Sequence, residues 1–254
     1  MFDTDAIKRA FGKAATDYAA HAELQHAVRE DAIRLGESCW KTGAKILDAG
    51  SGPGGFSHSA KLLGLGWNIT QLDIAFGMCK AAGSAVNADL AALPFADASF
   101  DGIFSSLALQ WVGDPLLALR EMARVTKRGG RIVISTFVHG TLEELRASFA
   151  SLDNHPHVSP FANVGGLSLL AAHAGFFVLS TQEEIFLAHY PDVRMLMKNL
   201  KAIGAGNKLS GRVRGLMTPR KLAALEEHYH KQFGTRKGLP ATWQVLWMVL
   251  EKRP

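Results

Sequence analysis

The chain has 254 residues, 48% apolar and 20% charged, with a formal net charge of +5. That length can bury one α/β core with additions, or two small domains, and no apolar run approaches the roughly 20 residues of a membrane helix. The acidic start Met1-Phe2-Asp3-Thr4-Asp5 has no apolar run behind it, so no secretory leader is expected and the expected compartment is the cytoplasm.

Residues 5 to about 38 read as helical, with Phe11, Ala14, Ala15 and Tyr18 at near-helical spacing and Gly12 as a possible break. The two cysteines, Cys39 and Cys79, lack metal-ligand spacing and read as free thiols, and no metal is expected. A first strand is expected at 45–49, a glycine-rich turn after it and a helix at about 55–63. A second strand, 67–72, ends at Asp73. A short helix near 76–82 leads to a third strand around 85–88, then Asp89. Residues 100–106 form the fourth strand, Asp114-Pro115 opens a helix, and 131–137 form the fifth strand. Alternation of this kind implies a doubly wound, mostly parallel sheet.

Thr141-x-x-Glu144 matches a capping box. A helix follows at about 165–174, a long strand from Phe176 to Ala188, a helical stripe at Val193, Leu196, Met197 and Leu200, and a helix from Thr218-Pro219. The last strand spans 243–250. If the two late strands pair antiparallel at the sheet edge, residues 189–240 are an insertion between them. The resulting division is an N-terminal helical lid (1–40), a core (41–188), a basic helical insertion over the active site (189–240) and a final core strand (241–254).

Asp48-Ala49-Gly50-Ser51-Gly52-Pro53-Gly54-Gly55 is the stretch around which the rest is organised. Glycines let a loop pass close to a ligand, and the helix behind them offers unpaired backbone N–H groups. Ligands in such sheets bind beyond the carboxyl ends of the strands. Asp48, Asp73 and Asp89 all fall at expected strand ends. Asp73 sits near the offset at which dinucleotide folds place a ribose-binding carboxylate; its structural alternative is a helix cap. Asp89 is a candidate acceptor for an adenine amino group, with an Asx-turn into Leu90 as the alternative. The glycine spacing alone leaves an NAD-type oxidoreductase open, as well as a non-enzymatic cofactor-binding scaffold.

Asp48-Ala49-Gly50-Ser51-Gly52-Pro53-Gly54, Leu72-Asp73, Ala88-Asp89-Leu90, Leu93-Pro94-Phe95, Phe100-Asp101 and Lys127-Arg128-Gly129-Gly130 together resemble the successive motifs of class I S-adenosylmethionine-dependent methyltransferases. The resemblance implies a Rossmann-like α/β fold, a doubly wound seven-stranded, mostly parallel sheet with an antiparallel last strand. It implies S-adenosyl-L-methionine as cofactor. Contacts are expected from Asp48, Gly50, Ser51, Gly52 and Gly54 in the loop, and from Asp73, Ile74 and Met78 after the second strand. Asp89, Leu90, Ser106 and Leu107 complete the set. The segment Ser105–Trp111 is expected to face the substrate.

Further stretches, Ala10-Phe11-Gly12-Lys13-Ala14-Ala15-x-x-Tyr18, Leu107-Ala108-Leu109-Gln110-Trp111, Phe137-Val138-His139-Gly140-Thr141-Leu142-x-Glu144-Leu145 and Leu200-Lys201-x-Ile203-Gly204-Ala205, resemble the malonyl-acyl-carrier-protein O-methyltransferases of biotin synthesis. That resemblance implies methylation of the free carboxyl of a malonyl thioester. Methylation of another small acid, a quinone precursor or RNA is the alternative within the class. A carboxylic acid with a pKa of about 4 is already ionised at neutral pH and needs no general base, and the chain shows no convincing triad. Tyr18, Trp111 and His139 are candidates for facing cofactor or substrate, each with a plain packing or loop alternative.

Between Lys198 and Lys237 the segment sums to a net +8, although the whole chain carries only +5. An acidic acyl carrier protein bearing malonyl-phosphopantetheine is the partner this charge suits. Arg212 and Arg214 are candidates either for docking it or for binding the malonyl carboxylate. No nucleic-acid module and no membrane partner is expected.

Overall fold

Ile46 and Leu47 are completely buried because their strand, β1 (Lys45–Ala49), is flanked on both sides by other strands. The computed structural model describes residues 3–209 and 217–254. The remaining strands are β2 (Asn68–Asp73), β3 (Val86–Asn87), β4 (Phe100–Ser106), β5 (Thr126–Phe137), β6 (Phe176–Tyr190) and β7 (Leu239–Lys252). Their order across the sheet is β3-β2-β1-β4-β5-β7-β6. β7 pairs antiparallel with both β5 and β6, and every other pairing is parallel. This is the expected seven-stranded, doubly wound sheet, with its order reversing between β1 and β4.

Successive strand residues feed opposite faces, as the period of two requires. Ile46, Val133 and Trp247 join one apolar cluster; Leu47, Ile132 and Met248 join the other. The first cluster is covered by α3 (Glu23–Cys39), α4 (Gly55–Leu62), α7 (Glu143–Ala150), α9 (Val193–Ala202) and α10 (Pro219–Phe233). The second lies under α6 (Pro115–Val125) and α8 (Val164–His173). Trp247 Nε1 donates to the Val28 carbonyl at 3.1 Å, and so ties α3 to β7. Tyr229 donates its hydroxyl proton to the Pro240 carbonyl at 2.6 Å and anchors α10.

The N-terminal helices cross the carboxyl end of the sheet. α1 (Thr4–Ala14) is followed by a short α2 (Tyr18–His21), so the helical run breaks at residues 15–17. Gly12 is not the break. It faces Gly77 of α5 (Phe76–Ala82), where an added Cβ on Gly77 would lie 2.4 Å from the Gly12 carbonyl oxygen. The pair lets two helix backbones touch. α1 also meets the insertion: Gly204 packs on Phe11, and the Asp3 N–H donates to the Lys208 carbonyl at 2.9 Å.

Several other expectations are corrected by the structure. β5 begins at Thr126, five residues earlier than expected, and β7 begins at Leu239. The Thr141–Glu144 pair is not a capping box. α7 is preceded by Leu142 at φ +55°, with no side-chain cap. Thr141 Oγ1 instead donates to the Gln244 carbonyl, and Glu144 accepts from the N–H and the hydroxyl of Thr242. Both side chains stitch α7 to β7. β6 is one of the two edge strands, opposite β3, and is exposed on both faces from Leu179 to Ile185.

Candidate active site

At the carboxyl end of β1 the chain turns through Gly50, Gly52 and Gly54, at φ of +86°, +54° and +89°. Side chains rarely adopt these angles, and a Cβ on Gly50 would sit 2.3 Å from the Ala108 methyl. The Gly50 and Ser51 N–H groups both donate to the Leu72 carbonyl, at 2.8 and 2.9 Å. The Gly52 N–H donates to Asp73 Oδ2 at 2.9 Å, and the Ala75 N–H to Asp73 Oδ1 at 2.8 Å. Each carboxylate oxygen keeps acceptor capacity beyond one such bond. Burial raises the Asp73 pKa, and the backbone N–H groups around it oppose the rise.

Beyond Asp73 opens a cleft lined by Gly50, Gly52, Asp73, Ile74, Met78, Asp89, Leu90, Ser106, Leu107 and Trp111. Thr4, Ile7, Phe11 and Tyr18 line it from the N-terminal helices. Asp89 also accepts from the Ala91 N–H at 2.9 Å, so the Asx-turn exists while the residue still borders the cleft. Leu107 takes φ +52° at the end of β4. Trp111 packs edge-on against Phe11, with ring centroids 5.4 Å apart.

A second opening runs along the glycine loop between α3 and α4. It shares Tyr18, Gly50, Gly52, Ser106 and Leu107 with the first and adds Asp48, Ser51, Gly54 and Arg29. Asp48 is 2% exposed, and its Oδ2 has no partner among the described residues. Burial and the nearby Asp73 carboxylate push its pKa well above the usual carboxylate range, with Arg29 pulling the other way. The Arg29 Nε is also buried without a partner among the described residues, while its Nη2 meets Glu30 Oε1 at 3.4 Å. Its guanidinium lies against Gly55, where a Cβ would come within 2.3 Å of Nη1. Tyr18 lies in the same field; burial and then Asp73 push its hydroxyl up to about 12, so it stays protonated and able to donate.

The cofactor-site residues read from the sequence therefore meet at one place, with Tyr18 and Trp111 beside them. His139 does not join them: it is exposed, and its backbone N–H donates to the Ala162 carbonyl at 3.0 Å. Arg212 and Arg214 lie outside the described residues. Arg29 is the residue sequence reasoning missed. It follows buried Val28 on α3, and a periodicity argument follows the apolar face of that helix, not the charge beside it.

Residues 47–134 match a family model described as a methyltransferase domain. Across nearly the full length, the chain is 36% identical to the malonyl-[acyl-carrier protein] O-methyltransferase of Erwinia billingiae, covering 97% of each sequence. The chain belongs to the malonyl-[acyl-carrier protein] O-methyltransferases. The relative of that name in Yersinia pestis is 34% identical, over 98% of this chain and 91% of its own length. The biotin biosynthesis bifunctional protein BioHC of Cellvibrio japonicus is 36% identical, with the chain matching 50% of that longer protein. Among solved structures, the YcgJ protein of Bacillus subtilis superposes at a TM-score of 0.62 and 16% identity, over 89% of this chain and 99% of that one. At that identity the likeness shows the shared fold alone.

Proposed function

We propose that this methyltransferase esterifies the free carboxyl of a malonyl thioester on acyl carrier protein, using S-adenosylmethionine. The product would be the malonyl methyl ester that starts pimeloyl chain synthesis for biotin. The observation that carries this reading is the near-complete coverage of relatives so named. The match extends through the N-terminal helices and the insertion, beyond the shared cofactor core.

The site fits the cofactor on its own terms. The glycine loop leaves a cradle that side chains would fill, and two buried atoms of groups of opposite charge, Asp48 Oδ2 and Arg29 Nε, lack partners among the described residues beside it, while Arg29 Nη2 meets Glu30 at 3.4 Å. Asp48 would pair with the α-ammonium, and Arg29 with the α-carboxylate. Asp73 would hold the ribose hydroxyls, and Asp89 the adenine amino group, above Ile74, Met78 and Leu90. Bound there, S-adenosylmethionine supplies an electrophilic methyl group to an ionised carboxylate. No group in the chain has to remove a proton. Catalysis is then a matter of holding the acceptor in line. Tyr18, donating from its hydroxyl, and Trp111 would position the malonyl group. The apolar walls of Phe11, Leu107 and Trp111 would keep water out and strengthen the electrostatics between the reacting groups. α1 to α3 would act as the lid.

Docking of the carrier protein would use the insertion. Lys198, Lys201, Arg220 and Lys231 are exposed on α9 and α10. Lys221 is already paired with Asp153, and Glu226 caps α9 by accepting from the Val193 N–H at 2.8 Å. Among the described residues, none of these four exposed cations is held in an ion pair. Mass spectrometry of malonyl-carrier protein after incubation with enzyme and S-adenosylmethionine tests the activity. A gain of one methyl group that a carboxylesterase removes, leaving the malonyl thioester in place, is the expected result; an unchanged mass would overturn it. The docking role predicts a preference for carrier protein over malonyl-coenzyme A that shrinks with salt, because exposed charges are screened beyond about 8 Å at physiological ionic strength.

A further inference from the structure

We infer that the thioester reaches the methyl-transfer centre through a passage between the carboxyl end of the sheet and the insertion, its pantetheine arm lying past Trp111, Ser159 and His157. This rests on the proposed malonyl-thioester activity. Three cavities lie in series and share residues. Trp111 lines the cofactor cleft. Trp111 also lines a narrow inner cavity, together with Val158, Ser159, His157 and, from the insertion, Leu200 and Ala205. His157 and Val158 in turn line an outer depression at the surface, which includes Arg146 and His155.

The chemistry changes along this line as it does along a pantetheine arm. The inner walls are mainly apolar, with Phe137, Leu145 and Trp243 beside those already named. His157, Ser159 and Asn207 interrupt them with polar atoms, the Asn207 amide being occupied by the Pro156 carbonyl and the Leu209 N–H. His157 stacks on Phe149 at 3.8 Å and uses Nε2 on Asp153 at 2.9 Å, which leaves Nδ1. Ser159 contributes a hydroxyl and is 7% exposed. An arm of methylenes interrupted by two amides suits such a wall. At the outer end Arg146 borders the depression, and Lys221 is paired with Asp153 of its rim. Both cations are already engaged, Arg146 by Glu143 at 3.1 Å and by the Ser159 carbonyl at 3.0 Å, so the fit of the arm rests on the inner walls. The other opening, between α3 and α4, leads along the glycine loop to Asp48 and Arg29. A thioester entering there would meet the groups assigned to the amino-acid end of the cofactor.

Blocking the inner cavity decides the matter. Ser159→Cys is nearly isosteric and can be labelled with a methanethiosulfonate reagent, its uptake read by protein mass. Wild type treated in parallel accounts for Cys39 and Cys79. The expected result is a fall of at least about tenfold in kcat/KM for malonyl-carrier protein after labelling, since small misplacement of an acceptor costs this much or more. Dithiothreitol should restore the rate, and the Kd for S-adenosylhomocysteine should not move. Ala205→Trp closes the same passage without a reagent and should show the same split. Wild-type kcat/KM in labelled Ser159→Cys or in folded Ala205→Trp would overturn the route and favour the opening between α3 and α4. Wild-type enzyme that makes no ester from malonyl-carrier protein would instead overturn the proposed activity.

Discussion

The backbone N–H of Gly52 donates to the carboxylate of Asp73 at 2.9 Å, so the glycine loop and the end of β2 are fixed to one another. Asp73 thus has two tasks, shaping the loop and facing the cleft. Asp73→Ala should weaken S-adenosylhomocysteine binding by about 1.5–3 kcal/mol, the scale of hydrogen bonds to a charged group. Isothermal titration calorimetry checks this. Unchanged affinity would remove Asp73 from the cofactor site.

Asp48 should show a trade between stability and binding. An acid whose pKa is raised on folding costs stability once pH exceeds its unfolded value, and the cost is complete above the folded pKa. The cofactor-free protein should therefore lose melting temperature as pH rises from about 4 through the raised Asp48 pKa. Asp48→Asn should remove that part of the loss and stabilise the free protein by about 1–3 kcal/mol, the cost of leaving a buried group unpaired. The same variant should bind S-adenosylhomocysteine more weakly. A variant both less stable and unchanged in binding would count against the assignment.

Arg29→Met tests the other end of the clamp. Affinity for S-adenosylhomocysteine should fall by about tenfold or more, in line with loss of a charge-assisted bond. Affinity for 5′-methylthioadenosine, which lacks the amino-acid end, should not change. Equal losses for both ligands would mean that Arg29 supports the fold and not the carboxylate.

Tyr18→Phe should lower turnover while leaving the melting temperature in place. With the hydroxyl held protonated up to about 12, wild-type kcat/KM should show no basic limb from Tyr18 below about pH 10. Wild-type turnover in the variant would leave Tyr18 as a packing residue.

The strands and the grouping of the glycine loop with Asp73 were largely legible because their signals are local. β1, the glycines and Asp73 follow one another within thirty residues, and strand alternation reports burial directly. What escaped the sequence depends on partners far away. Glu144 looks like a cap three residues after Thr141, yet Thr242 on β7 wins it. Gly12 looks like a helix breaker, but α5 brings Gly77 against it. Arg29 became visible only when the fold set it beside Asp48. His139 follows a strand of the core and still faces solvent, because the chain turns away at Gly140, with φ +98°.

β6 is the longest strand and the least covered, running as an edge with its middle bare on both faces. An edge of this kind offers a row of unpaired amides to any neighbouring chain, and crowded or partly unfolded protein would extend the sheet there into aggregates. The chain counters this with charge and irregularity. Glu183 and Glu184 stand in the bare stretch, and the pairing with β7 slips between Val178 and Ser180. Two molecules aligning these edges antiparallel about that pair would set carboxylate against carboxylate. Two glutamates remote from the glycine loop thereby guard this edge against pairing with a second copy of itself.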